Sequence, residues 1–108
     1  MKHERVVSIS LDHPALPGHF PGHPVVPGVV ILDEVIETLR LQAGQALVVT
    51  GLPSVKLSSP LLPGERLTIE IVQEDAGTAS FTCRVDSRLV AAGSIRVQLP
   101  AASLARMP

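Results

Sequence analysis

Gly28-Val29-Val30-Ile31-Leu32-Asp33-Glu34-Val35-Ile36-Glu37-Thr38-Leu39-Arg40-Leu41-Gln42-Ala43-Gly44 is the stretch on which the fold turns. Pro21, Pro24 and Pro27 keep the segment before it extended, so a helix can begin only at Gly28. The helix should run to about Gln42 and stop at Gly44, a natural carboxy-terminal cap. At the helical period of about 100° per residue, Val29, Leu32, Val35, Ile36 and Leu39 share one arc, with Glu34, Glu37 and Thr38 opposite. Val30, Ile31 and Leu41 fall outside that arc. With apolar residues on several sides, the amino-terminal half of the helix needs a sheet curled around it rather than a flat support.

The rest of the chain reads as strands. Val6, Val7 and Ile9 among polar neighbours predict a short strand over about residues 4–10, broken by Asp12, Pro14, Pro17 and Gly18. Beyond the helix, residues 46–50 and 52–57 read as two short strands separated by Gly51, with Pro60 and Pro63-Gly64 marking the next turn. Residues 66–74 alternate, with Leu67, Ile69 and Ile71 on one face. After the turn at Asp75-Ala76-Gly77, residues 79–86 alternate through Phe81, Cys83 and Val85; a reversal at Ser87 leads into a last strand over residues 89–99. Three long strands joined by tight turns form an antiparallel meander. The expected class is therefore α+β: one domain over residues 1–99, with a frayed tail from Pro100 to Pro108.

Composition narrows the range of functions. A chain of 108 residues with 45% hydrophobic content can fold, but at this size a core is completed most readily against a second subunit. The net charge of −1, with no basic stripe, argues against nucleic acid. The first residues lack the apolar run of a signal peptide, and no apolar segment is long enough to span a bilayer, so a cytoplasmic protein is expected. Cys83 stands alone in a strand pattern and reads as a buried apolar residue.

The chemistry concentrates between Gly18 and Asp33. His19, on a Pro/Gly-rich loop, is an imidazole able to act as a base near neutral pH. Gly28 opens a helix whose first amides lack internal partners and whose dipole favours negative charge, as an oxyanion site requires. Asp33 lies beside the apolar arc, between Val29 and Glu37, where an apolar pocket and a neighbouring carboxylate would help it hold a proton as an acid does. Each residue also has a plainer reading: a solvated loop histidine, a carboxylate favoured by the helix dipole, and helix-start punctuation after Pro27. His19 and His23 have the spacing of a metal pair, but Pro21 and Pro24 prevent the helix that would align them, and no metal or other cofactor is expected. His3 and His13 read as surface residues. Phe20 and Phe81, the two aromatics, read as core.

The run Gly18-His19-Phe20-Pro21-Gly22, then Pro24, Pro27-Gly28 and Asp33 five places later, resembles the active-site signature of the 3-hydroxyacyl-[acyl-carrier-protein] dehydratases. Val55-Lys56-Leu57, Pro60 and Pro63-Gly64-Glu65-Arg66-Leu67 extend the resemblance, which covers roughly residues 5–99. It implies a hot-dog fold, with a curved antiparallel sheet around one central helix, and a homodimer with two sites at its interface. It also implies dehydration of 3-hydroxyacyl thioesters carried on acyl carrier protein or coenzyme A. In that reading His19 is the base, paired with Asp33 of the other subunit as the acid, and the amides of Gly28 and Val29 hold the thioester oxygen. Phe20, Val25, Val26, Val29 and Leu32 surround the acyl chain. Aspartate at position 33 resembles both the branch that makes unsaturated fatty acids and the short dehydratases of aryl-polyene pathways; a chain that begins close to the strand before the motif is more similar to the latter. Glu37 departs from the family, which commonly has glutamine there; an acidic pair would need a shared proton or a cation such as Arg40. Two alternatives stay open, a hot-dog thioesterase and a catalytically silent module that binds an acyl carrier or another subunit.

Overall fold

The computed structural model describes residues 2–10, 12–13, 25–44 and 46–98. Among these residues, strand β1, Lys2–Ser8, precedes the helix α1, Gly28–Ala43, and four strands follow: β2, Val48–Leu57; β3, Arg66–Gln73; β4, Thr78–Val85; and β5, Arg88–Gln98. All pair antiparallel in one sheet of order β1-β3-β4-β5-β2. One helix packed on this sheet realises the expected hot-dog architecture, including the meander of β3, β4 and β5. The expected tail at residues 100–108 lies outside the described residues.

Alternation sorts the sheet into two faces. Leu67, Ile69 and Ile71 of β3, Ala79, Phe81 and Cys83 of β4, and Ala91, Ile95 and Val97 of β5 are buried on the helix side. The register sets Ile69 opposite Cys83, and Phe81 between Ile71 and Gly93. A large ring facing a residue with no side chain keeps β4 and β5 filled without crowding. Cys83 is the expected core residue: burial pushes its thiol up to about 12, so it remains protonated at neutral pH. The hairpin into β5 turns through Asp86 at φ 53°, a left-handed conformation that aspartate tolerates better than most residues.

Two readings of the strands change. Residues 46–50 and 52–57 do not form two strands. One continuous β2 passes through Gly51, with register shifts between Val49 and Gly51 and between Gly51 and Ser54. Glycine and Pro53 disturb the ladder locally, but pairing with β5 on both sides of the irregularity carries the strand through it. The first strand, in turn, covers residues 2–8, because pairing with β3 begins at Lys2.

The helix starts and stops as expected. Pro27 is extended, and Gly44, at φ 109°, caps the end by donating its amide to Arg40 O at 2.8 Å. Its buried side, however, is rotated away from the predicted arc. Val30, Ile31, Val35, Thr38 and Leu39 are buried, Leu32 and Ile36 are only partly covered, and Val29 is 63% exposed. Thr38 can enter the core because its hydroxyl is satisfied: it donates to Glu34 O at 2.7 Å and accepts from Arg5 Nη1 at 3.1 Å. Arg5, on the helix-facing side of β1, also pairs with the Glu34 carboxylate at 3.3 Å. His3, on the same side, and His13 are partly covered rather than at the surface.

Arg5 thus ties the middle of the helix to β1. Since the pair is partly open to water, Arg5→Met is expected to cost only about 1 kcal/mol, read as a lower urea midpoint with unchanged slope. A variant as stable as the native chain would refute this anchoring role.

Candidate acyl-binding site at the helix start

A cavity of about 340 Å³ opens at the start of α1. Val25, Val26, Pro27, Gly28 and Ile31 form one wall; Leu57, at the end of β2, and residues 58–61 of the connection to β3 form the other. The walls are tied together where Val26 donates its amide to Leu61 O at 2.8 Å. Glycine at 28 leaves room for Leu57: a Cβ there would lie 2.7 Å from Leu57 Cδ1, the end of an exposed side chain that would have to turn aside. Glycine therefore keeps the first turn bare, and Leu57 packs close above it.

The amides of Gly28 and Val29 have no acceptor among the described residues, whereas Val30 and Ile31 donate to Pro27 O at 3.0 and 3.4 Å. Pro27 has no side chain able to cap them, so two donors remain at the helix start, where Gly28 and the positive end of the helix dipole border the cavity. This arrangement can hold an oxygen that carries developing negative charge.

Of the residues singled out in the sequence, Val25, Val26 and Gly28 line the cavity. Leu32 and the side chain of Val29 do not. Asp33 is exposed on the helix face away from Ile31, one turn from Glu37, which is partly covered. Among the described residues no ion pair joins Arg40 to Asp33 or Glu37, and its Nε is buried with no hydrogen-bond partner. His19, Phe20 and His23 lie outside the described residues.

The second wall was missed in the sequence. Pro60 and Pro63-Gly64 announced a turn, but nothing local showed that Leu57 to Leu61 would cross to the start of the helix. Exposed apolar side chains surround the same region: Val29, Leu57 at 56%, Val55 and Leu62. Among the described residues strand β2 is also an edge of the sheet, paired only with β5. No helix among the described residues is long and apolar enough to cross a membrane.

Comparison with known proteins supplies the context. Residues 2–94 match the family described as ApeI-like, ApeI dehydratase. A 3-hydroxyacyl-[acyl-carrier-protein] dehydratase FabZ of Haemophilus influenzae is 33% identical over 87 residues, 71% of this chain. The chain spans only 59% of the length of that relative. Among solved structures, the dehydratase heterocomplex ApeI:P from Xenorhabdus doucetiae superposes with a TM-score of 0.77 at 26% identity, covering 88% of this chain and 87% of that one. An (R)-hydratase of A. caviae involved in PHA biosynthesis shares the fold, with a TM-score of 0.70 at 21% identity, covering 93% of this chain and 95% of that one.

Proposed function

Because the chain belongs to the ApeI-like dehydratase family, we propose that it dehydrates 3-hydroxyacyl thioesters, presented on an acyl carrier protein, to trans-2-enoyl thioesters. The reaction would serve fatty-acid or polyene-type lipid synthesis, with the aryl-polyene branch supported by the family that residues 2–94 match. The observation that carries this reading is the helix start at Gly28, which lines the cavity and whose first two amides have no acceptor among the described residues.

The reaction requires three acts. His19 takes the proton from the carbon next to the thioester carbonyl, and the charge that develops on the carbonyl oxygen is held by the amides of Gly28 and Val29. Protonated Asp33 gives its proton to the 3-hydroxyl, which leaves as water. Val25 and Val26 pack against the substrate, with Phe20 completing the channel. Return of the proton from His19 to Asp33 resets the site.

The working unit in this reading is a homodimer joined along β2. The exposed Val29, Val55, Leu57 and Leu62 support it, since apolar side chains around an open edge strand are what a partner would bury. Pairing across the interface would bring the His19 of one subunit to the Asp33 of the other, withdrawing that carboxyl from water.

The test is mass spectrometry of a 3-hydroxyacyl carrier protein incubated with the purified protein. Loss of one water, and its re-addition to the enoyl product, is the expected result. Release of free acid would replace this reading with thioester hydrolysis. An unaltered acyl chain at every length tried, with the protein folded, would leave a binding module.

A further inference from the structure

The connection from β2 to β3 must cross the end of the sheet, because β5 and β4 lie between the strands it joins. Its first part, Ser58 to Leu61, is the cavity wall that faces the helix start. Backbone bonds tie the two ends of this wall, the Ser58 and Ser59 amides donating to Val90 O at 2.8 and 3.4 Å and the Val26 amide to Leu61 O. Between them, one side chain of the β4–β5 hairpin adds a further hold on Ser59 and Pro60. Arg88, the first residue of β5, donates through Nη1 to Pro60 O at 2.6 Å and to Ser59 Oγ at 3.1 Å, and through Nη2 to Glu65 Oε2 at 2.7 Å. Ser59 Oγ in turn donates to Leu89 O at 2.7 Å. Glu65 closes the loop on itself, its Oε1 accepting the Leu62 amide at 2.8 Å.

Arg88 and Glu65 are partly exposed, and an ion pair in that setting adds little to stability. What the arrangement supplies is geometry. A planar guanidinium engaging three acceptors at once fixes their relative positions in a way that a flexible ammonium cannot. The Leu62 amide, and after it the Arg88 guanidinium, hold the Glu65 carboxyl below the usual carboxylate range, so the clamp stays charged at neutral pH.

We propose that Arg88 and Glu65 are positioning residues for the acyl-thioester pocket, clamping Ser58 to Leu61 against the helix start so that the pocket keeps its width. The proposal rests on reading the cavity as the acyl-thioester site. The clamp touches no reacting atom; it sets how tightly the thioester and its flanking arms are held.

The test is the affinity of the native protein and its variants for S-hexanoyl-pantetheine, by calorimetry at neutral pH. Arg88→Met should weaken binding about tenfold, a loss of wall packing and pre-organisation. Arg88→Lys, which keeps the charge but not the fork, should recover only part of it. Adding Glu65→Gln to Arg88→Met should cost nothing more, because the two act as one unit. Arg5→Met breaks a comparable ion pair away from the cavity and serves as the control, lowering stability without changing affinity. With a carrier-bound substrate, Arg88→Met should raise KM and leave kcat within about twofold. Native affinity in Arg88→Met, or an equal loss in Arg5→Met, would overturn the clamp while leaving the pocket reading intact. Absence of binding by the native protein would overturn both.

Discussion

Asp33→Ala and His19→Ala should each lower dehydration by roughly two to four orders of magnitude, the usual worth of a positioned acid or base, while leaving a folded dimer. The two variants have a second, sharper consequence when they share a dimer. If each site takes His19 from one subunit and Asp33 from the other, a mixed dimer holds one site with both groups native and one with neither. Mixing two nearly inactive proteins, under conditions where subunits exchange, should then restore measurable turnover. If both groups come from the same subunit, every site in the mixed dimer lacks one of them and nothing is restored. The exposure of Asp33 in the single chain motivates the crossed arrangement: an acid catalyst works best withdrawn from water, and a partner covering the exposed Val29 and Leu57 would withdraw it. Full turnover by either single variant would remove that residue from the chemistry altogether.

The largest effect on stability is expected at Gly93. A Cβ built there meets the carbonyl oxygen of Ser54 on β2 and lies 2.9 Å from two ring atoms of Phe81 on β4. Neither neighbour can give way cheaply. The oxygen belongs to backbone inside a ladder, and Phe81 is among the most completely buried side chains of the sheet. Gly93→Ala must therefore part β2 from β5 or displace the ring, an overpacking cost of about 3 kcal/mol. In a domain of this size that lowers Tm by on the order of 10–20 °C. Gly51→Ala supplies the contrast in the same strand pair, because its Cβ would meet only Arg96 side-chain atoms at 3.8 and 3.9 Å. It should stay within about 0.5 kcal/mol of the native protein. Equal melting of the two variants would show that close packing at Gly93 is not what fixes β2 in place. Since β2 delivers Leu57 to the cavity, loosening it should also weaken acyl binding.

Much of this architecture follows from local patterns. Pro27 and Gly44 mark the ends of the helix, because a missing amide and a left-handed backbone act on the residue that carries them. The alternation through Leu67, Ile69 and Ile71, and through Phe81 and Cys83, predicts both the strands and the face they bury, since side chains of a strand point alternately to its two sides. The chemical candidates Gly28 and Asp33 were also legible, from one continuous stretch of chain and its resemblance to a known signature.

Other features were settled by residues distant in sequence. Hydrophobic periodicity placed Leu32 on the buried side of the helix and Thr38 outside. Arg5, thirty-three residues from Thr38, satisfies the hydroxyl and reverses that placement. Gly51 looked like a break between two strands, yet β5 pairs on both sides of it and makes them one. Glu65 looked like part of a turn, and its meeting with Arg88, twenty-three residues on, depends on the connection crossing the sheet. The sequence by itself determined the helix and its ends, the three strands of the meander and the glycine at the helix start, because propensity, alternation and capping act within a few residues. Tertiary structure alone decided which helix face is buried, how β2 runs and what forms the second wall of the pocket. Those outcomes rest on hydrogen bonds and contacts between segments that only the folded sheet brings together.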